Sequence, residues 1–203
     1  MTDRPRSPLA MVLLALLAEE PMHAYRMQRL LKTRQKDAVV NVARSNSVYQ
    51  ALDRLERDGY VTAGEKVAAD SAPARVVYAL TDAGREVLWR WMDAALAAPA
   101  REFPEFRAVL AVVSLHAPEL VADRLEERAA RLEEILEKAA GEDEAMTQMG
   151  LPRVLMLENE HLVAVTAAEL AWVRAVVADL RSGALSWDAD QMRATSAAHE
   201  SAD

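Results

Sequence analysis

Apolar positions come first in a nearly unbroken run, Leu9 to Ala18, then at helical spacing, then in alternation, then again at helical spacing to the end of the chain. The first run predicts a buried helix from about Pro8 to Ala18, with Ser7 as its N-cap and Pro8 at its first position. A second helix, about His23 to Thr33, carries Tyr25, Met27, Leu30 and Leu31 as apolar members. After an aperiodic connection, Gln35 to Arg44, in which Val39, Val40 and Val42 are candidate anchors, a third helix starts near Ser45 or Asn46. Its Val48, Ala51, Leu52 and Leu55 recur at 3, 4 and 7, while Tyr49, Gln50, Asp53, Arg54 and Arg57 face the other way. Gly59 ends it as a C′ residue.

Here the period changes. Tyr60 to Ala63 reads as one strand and Arg75 to Leu80 as another, with a long loop marked by Gly64, Asp70, Ser71 and Pro73 between them. Thr81 and Asp82 cap a fourth helix, about Ala83 to Ala98. Three helices followed by a strand, a loop and a strand is the order of a winged helix-turn-helix. The predicted architecture is thus mainly α, with this domain over 7–98 and an all-helical domain over 102–187; the polar, small-residue stretch 188–203 is expected to be a disordered tail.

Within the second domain the sequence predicts a short helix to His116 containing Phe106, Val109, Leu110 and Val113. A longer helix follows, about Glu119 to Ala140, with a 4-3 seam of Val121, Leu125, Arg128, Leu132, Ile135 and Ala139. A polar break is expected over Gly141 to Gly150, and a last helix from about Pro152 to Arg181, stopped by Ser182 and Gly183. Long thin helices with so wide an apolar surface need a cover, for which a homodimer is the simplest source.

Composition sharpens this picture. Of 203 residues, 52% are hydrophobic but only 5% aromatic, and none is Cys. The chain therefore has no disulfide, thiolate metal site or Cys nucleophile. Net charge is −8, yet residues 1–90 carry 14 Lys and Arg against 11 Asp and Glu, and residues 91–203 carry 10 against 21. The acidity is confined to the second half, and local charge decides contact with phosphates. Arg4 and Arg6 before an apolar run have the outline of a signal peptide, but Glu19 and Glu20 follow at once and the run is too short to span a bilayer. A cytoplasmic protein without membrane association is expected.

No catalytic constellation is present in the sequence, neither a phosphate loop nor a nucleophile elbow, and the four His residues lack metal-ligand spacing apart from the isolated pair Glu158 and His161. Neither an enzyme, a metal site nor a cofactor is expected. What remains is the third helix. Gln50 and Arg54 are of the types that pair with base edges in a major groove. Ser45, Asn46 and Ser47 stand where helix N–H groups favour a phosphate. The alternative is a solvated helix face with a capping serine, and periodicity alone does not separate the two.

Three stretches carry a resemblance: Pro21-Met22-His23-Ala24-Tyr25, then Ser47-Val48-Tyr49-Gln50-Ala51-Leu52 through Gly59-Tyr60-Val61, and Tyr78-Ala79-Leu80-Thr81-Asp82-Ala83-Gly84-Arg85. They look like the PadR family of bacterial transcriptional regulators, over residues 7 to about 92. Glu169-Leu170-Ala171-Trp172-Val173 and Gly183-Ala184-Leu185-Ser186-Trp187 are similar to that family's helical dimerisation domain. Ala24 stands where the family often has Gly, and Asn46-Ser47 where a Gly is common. The resemblance implies a homodimer on double-stranded DNA, a repressor of an inverted repeat released by a small effector. It implies DNA contact by Tyr25, Ser45, Asn46, Ser47, Tyr49, Gln50 and Arg54, with Lys66 and Arg75 from the wing. It also implies a flat aromatic effector near Trp172, with Glu169, Leu162 and Val165 as neighbours. The plainer expectation for that region is that Trp172 fills space and Glu169 bonds an Arg such as Arg107. A winged module serving protein contact alone is the rival reading, favoured by the net negative charge and the uncharged wing tip.

Overall fold

The computed structural model describes residues 7–34, 36, 40, 47–69 and 72–188, with 65–69 and 72–75 given by their backbone alone. It divides into two compact units between Arg101 and Glu102.

The first unit contains α1 (Pro8–Glu19), β1 (Met22–His23), α2 (Ala24–Thr33), α3 (Ser47–Arg57), β2 (Val61–Ala69), β3 (Ala72–Leu80) and α4 (Asp82–Ala97). The Ser7 hydroxyl accepts from the Ala10 N–H at 3.4 Å, with Pro8 in the first turn. Helix α1 is apolar nearly all round because it is wrapped. Its Leu13 and Leu14 are fully buried, and it packs against α3, α4 and β3. Val48, Leu52 and Leu55 of α3, Met27 and Leu31 of α2, and Val87 and Leu88 of α4 complete this core, and Val40 is buried with them. Val39 and Val42 lie outside the described residues.

The sheet order is β1-β3-β2, all antiparallel. Two features differ from the sequence reading. Met22 and His23 form a short strand on Tyr78 and Val77, too brief for any periodicity to announce. The expected long loop is mostly strand: β2 and β3 leave only residues 70–71 between them. Gly64 and Pro73 gave the impression of a loop because both are turn residues. Here the register shifts once between Ala63 and Lys66 and again between Val67 and Ala69, and Gly and Pro are tolerated in strands at such irregularities.

Gly59 closes α3 with φ +77°; its N–H donates to the Glu56 carbonyl and the Tyr60 N–H to the Leu55 carbonyl, the double bond of a Schellman cap. The Thr81 hydroxyl then does two jobs, accepting from the Gly84 N–H at 2.9 Å and donating to the Gly59 carbonyl at 2.8 Å. Thus the end of α3 and the start of α4 are held by one side chain. Gly84 is needed for a different reason. A Cβ there would lie 2.0 Å from the Tyr60 carbonyl oxygen and 2.8 Å from Leu80 Cδ1.

The second unit contains α5 (Glu105–Ala111), a 3₁₀ turn (Val113–Leu115), α6 (Pro118–Gln148), a second 3₁₀ turn (Arg153–Leu155) and α7 (Leu157–Ser182). Helices α6 and α7 form an antiparallel pair. The expected break at Gly141 does not occur. Around that glycine lie good helix formers, and the buried Asn159 side chain donates to the Ala139 carbonyl at 2.9 Å and to Asp143 Oδ1 at 2.7 Å, holding α6 against α7 through the glycine. The turn comes at Gly150, where φ is +68°. Gly183, φ +77°, ends α7, and Trp187 comes back to donate its indole N–H to the His116 carbonyl at 2.8 Å.

The 4-3 seam of α6 is used within the chain: Val121, Leu125, Leu132 and Ala139 are buried, and the first three pack with Leu170, Val173 and Leu180 of α7. Charges lace the pair along its length. Arg128 meets Glu169, Arg174 meets Glu133, and Arg181 bridges Asp123 and Glu126. Helix α7 is also long and apolar enough to cross a membrane by length and composition.

Two outcomes follow. Gly84→Ala should destabilise the first unit by about 1–3 kcal/mol, the usual cost of overpacking, read from the urea midpoint. The second concerns acid. The Arg181 hydrogen bond holds the Glu126 carboxyl below the ordinary carboxylate range. A depressed folded pKa contributes stability above the unfolded value, about 4.3, that is lost as pH falls through the folded one. Melting temperature should thus fall between pH 6 and pH 3 by less in Arg181→Gln than in the wild type; equal falls would remove the pair from the acid response.

Candidate nucleic-acid interface

Because Val48, Leu52 and Leu55 are buried within a 60° sector of α3, the opposite side is fixed by geometry. Gln50 and Arg57 lie at its centre, Asp53 beside them, with Arg54 on one flank and Tyr49 on the other; all five are exposed. Arg54 is exposed and makes no ion pair with a described residue. Arg57 Nε donates back to the Asp53 carbonyl at 3.1 Å, which steers the side chain along the helix. Arg57 is a candidate the site prediction passed over, although the 3.6-residue period alone puts it seven residues from Gln50.

Ser47 opens α3 as its first helical residue, half-buried. Ser45 and Asn46 lie outside the described residues. So do the side chains of Lys66 and Arg75, whose backbones stand inside β2 and β3, opposite Val76 and Val67, and not at the edges of a loop. Tyr25 sits in the first turn of α2, half-exposed. That turn is capped by His23, whose Nδ1 accepts from the Arg26 N–H at 3.0 Å, while the rings of His23 and Tyr25 stand 6.2 Å apart.

The basic stretch of α2 divides. Arg26 is paired with Glu20, and Arg34 makes a two-pronged bond to Glu19 at 2.6 and 2.8 Å. This bond draws the Glu19 carboxyl below its ordinary value. Arg29 and Lys32 remain exposed. Beneath α3, burial pushes the Tyr78 phenol up, and Asp53 and Glu56 add to it. The phenol is therefore neutral and serves as core.

In the second unit Trp172 meets Phe106 edge-on, with ring centres 6.1 Å apart, and the Arg128 guanidinium lies 3.6 Å over the Phe106 ring. Glu169 accepts from Arg128 Nε at 2.6 Å, so its partner is Arg128 and not Arg107. A cavity of about 670 Å³ opens between α5 and α6. Phe106 lines it, whereas Trp172 and Glu169 stand behind Phe106 and Arg128, and Leu162 and Val165 are exposed on α7 away from it. Leu162, Val165, Glu169 and Trp172 share a face of α7, while this concave surface is made by α6 and α5. Among the described residues no cluster of metal-ligating side chains occurs.

Three helices with a buried first helix, an exposed polar face on the third and an antiparallel hairpin after it define a winged helix-turn-helix, a DNA-binding class. Residues 13–90 match the model of the transcriptional regulator PadR-like family, which this unit resembles. A search of curated proteins finds no match. Solved structures do share the fold. PadR of Bacillus subtilis in complex with operator DNA is 17% identical with a TM-score of 0.65, over 85% of this chain and 98% of that one. The same protein with p-coumaric acid is 18% identical, with a TM-score of 0.64 over 85% and 98%. The virulence activator AphA of Vibrio cholerae is 22% identical, with a TM-score of 0.65 over 86% and 98%. At these identities the likeness is one of fold.

If α3 reads bases, Arg54→Ala and Gln50→Ala should each weaken specific DNA binding by about 1–3 kcal/mol, and Tyr49→Phe by less. Arg57→Ala should lower affinity for all sequences alike if it meets phosphate. Unchanged affinity in all four, with intact circular dichroism, would take the helix out of the interface.

Proposed function

We propose that this chain is a homodimeric repressor that acts in the cytoplasm on an inverted-repeat operator. The single observation behind this reading is the bare polar face of α3, held outward by its buried seam. Gln50 and Arg54 would pair with base edges and Tyr49 with the backbone. Ser45, Asn46 and Ser47 would place a phosphate at the helix N-terminus, with Tyr25, Lys66 and Arg75 as flanking backbone contacts. Each half-site would take one winged unit, with recognition helices about 34 Å apart, one turn of DNA.

The dimer rests on the second unit. Leu157, Leu162, Val165 and Trp172 are exposed on α7, and so large an uncovered apolar face marks an interaction surface. A second copy covers it most simply, since the same face on both partners gives a closed twofold. A small effector bound in this unit would change the distance between the two α3 helices. A coupling of about 1–3 kcal/mol is enough to release an operator. Binding of p-coumaric acid by the Bacillus subtilis protein of like fold supports an effector of this general kind.

The test is a gel shift on the DNA upstream of the protein's own coding region, across a salt series. Affinity should fall steeply with salt as phosphate contacts release counterions. A flat salt response would favour the protein-contact reading. Light scattering of the full chain at micromolar concentration should give a dimer, and a monomer there would contradict the assembly.

A further inference from the structure

The cavity between α5 and α6 is a trough with a distinct composition. Its apolar lining is Val109 and Val113 from the α5 side and Leu120, Val121, Leu125, Leu132 and Ile135 from α6. It runs along α6 from Leu120 to Ile135, about 22 Å at 1.5 Å per residue. Arg124, Arg128 and Arg131 line it as well, all three within a narrow sector of the helix.

These arginines are not equivalent. Arg124 is paired with Glu127, and Arg128 is taken by Glu169 and by the face of Phe106. Arg131 has no ion-pair partner among the described residues. Glu105 also lines the trough, at the first turn of α5. The trough therefore offers one uncommitted guanidinium beside a long apolar floor. A second copy of the chain has a separate face to cover on α7, at Leu157, Leu162, Val165 and Trp172.

We propose that this trough binds an elongated amphiphile with a single carboxylate, a medium- or long-chain fatty acid, its head group on Arg131 and its chain along Val109, Val113, Leu125 and Leu120. A flat single-ring acid is too short for the stretch from Arg131 to Leu120, about 16 Å at 1.5 Å per residue, and would leave most of the apolar surface wet. The position also explains how occupancy is felt beyond the trough: Phe106 forms its wall and stands edge-on to Trp172 of α7. The inference rests on the effector reading above only for its regulatory meaning; binding itself is independent of DNA.

The experiment is calorimetric titration of the full chain with dodecanoate, kept below its micelle-forming range, with dodecylamine as the control of opposite charge. Saturable binding of one dodecanoate per chain is expected, with little or none for the amine. Arg131→Glu should weaken dodecanoate binding at least tenfold, and Val109→Trp, at an exposed position, should block it while leaving the oligomeric state unchanged. No saturable binding, equal binding of the amine, or wild-type affinity in both variants overturns the proposal. So does a change of oligomeric state in Val109→Trp, because a second copy would then occupy the trough. If dodecanoate binds as expected but the gel shift fails, the trough stands and the operator reading falls.

Discussion

A helix can offer a polar face to a ligand only if its other face is held, and in this protein that hold is the burial of Val48, Leu52 and Leu55 against a first helix that is itself buried over most of its surface. Leu13 and Leu14 of α1 are wholly inside. Each such side chain contributes about 1.5–3 kcal/mol when buried, so the seam of α3 outweighs every surface charge in the unit. The orientation of Gln50, Arg54 and Arg57 is a consequence of it. The Schellman cap at Gly59 and the shared hydroxyl of Thr81 then fix where α3 stops and the last helix of the unit begins.

The second unit is governed by the opposite situation. Two long helices and a short one enclose few fully buried residues, so much apolar surface stays uncovered on α7 and in the trough beside α6. Its ion pairs lie at partly exposed positions and are each worth little, about 0–1 kcal/mol. They set the register of α6 on α7 more than they stabilise it. A unit built this way is suited to change shape or partner.

Much of this was legible in the sequence. The 3, 4, 7 spacing of Ala51, Leu52 and Leu55 from Val48 foretold both the helix and its exposed face, and Ser7, Gly59, Thr81 and Gly183 marked ends where the structure has them. Elsewhere residue types misled. Gly64 and Pro73 signalled a loop but lie in strands with shifted register, and Gly141 signalled a break but is carried through by Asn159, a contact twenty residues away. Glu169 found Arg128, a partner that sequence spacing could not single out from Arg107. These misses share a cause: each was decided by a tertiary contact that no local pattern records.

The central claim, that α3 enters a major groove, is tested most directly by dimethyl sulfate footprinting on the DNA upstream of the coding region. Guanine N7 lies in the major groove, so a recognition helix there shields it. The account predicts two protected clusters one helical turn apart, both lost in Gln50→Ala/Arg54→Ala. Binding that leaves every guanine N7 reactive, or protection that survives this double substitution, would contradict it.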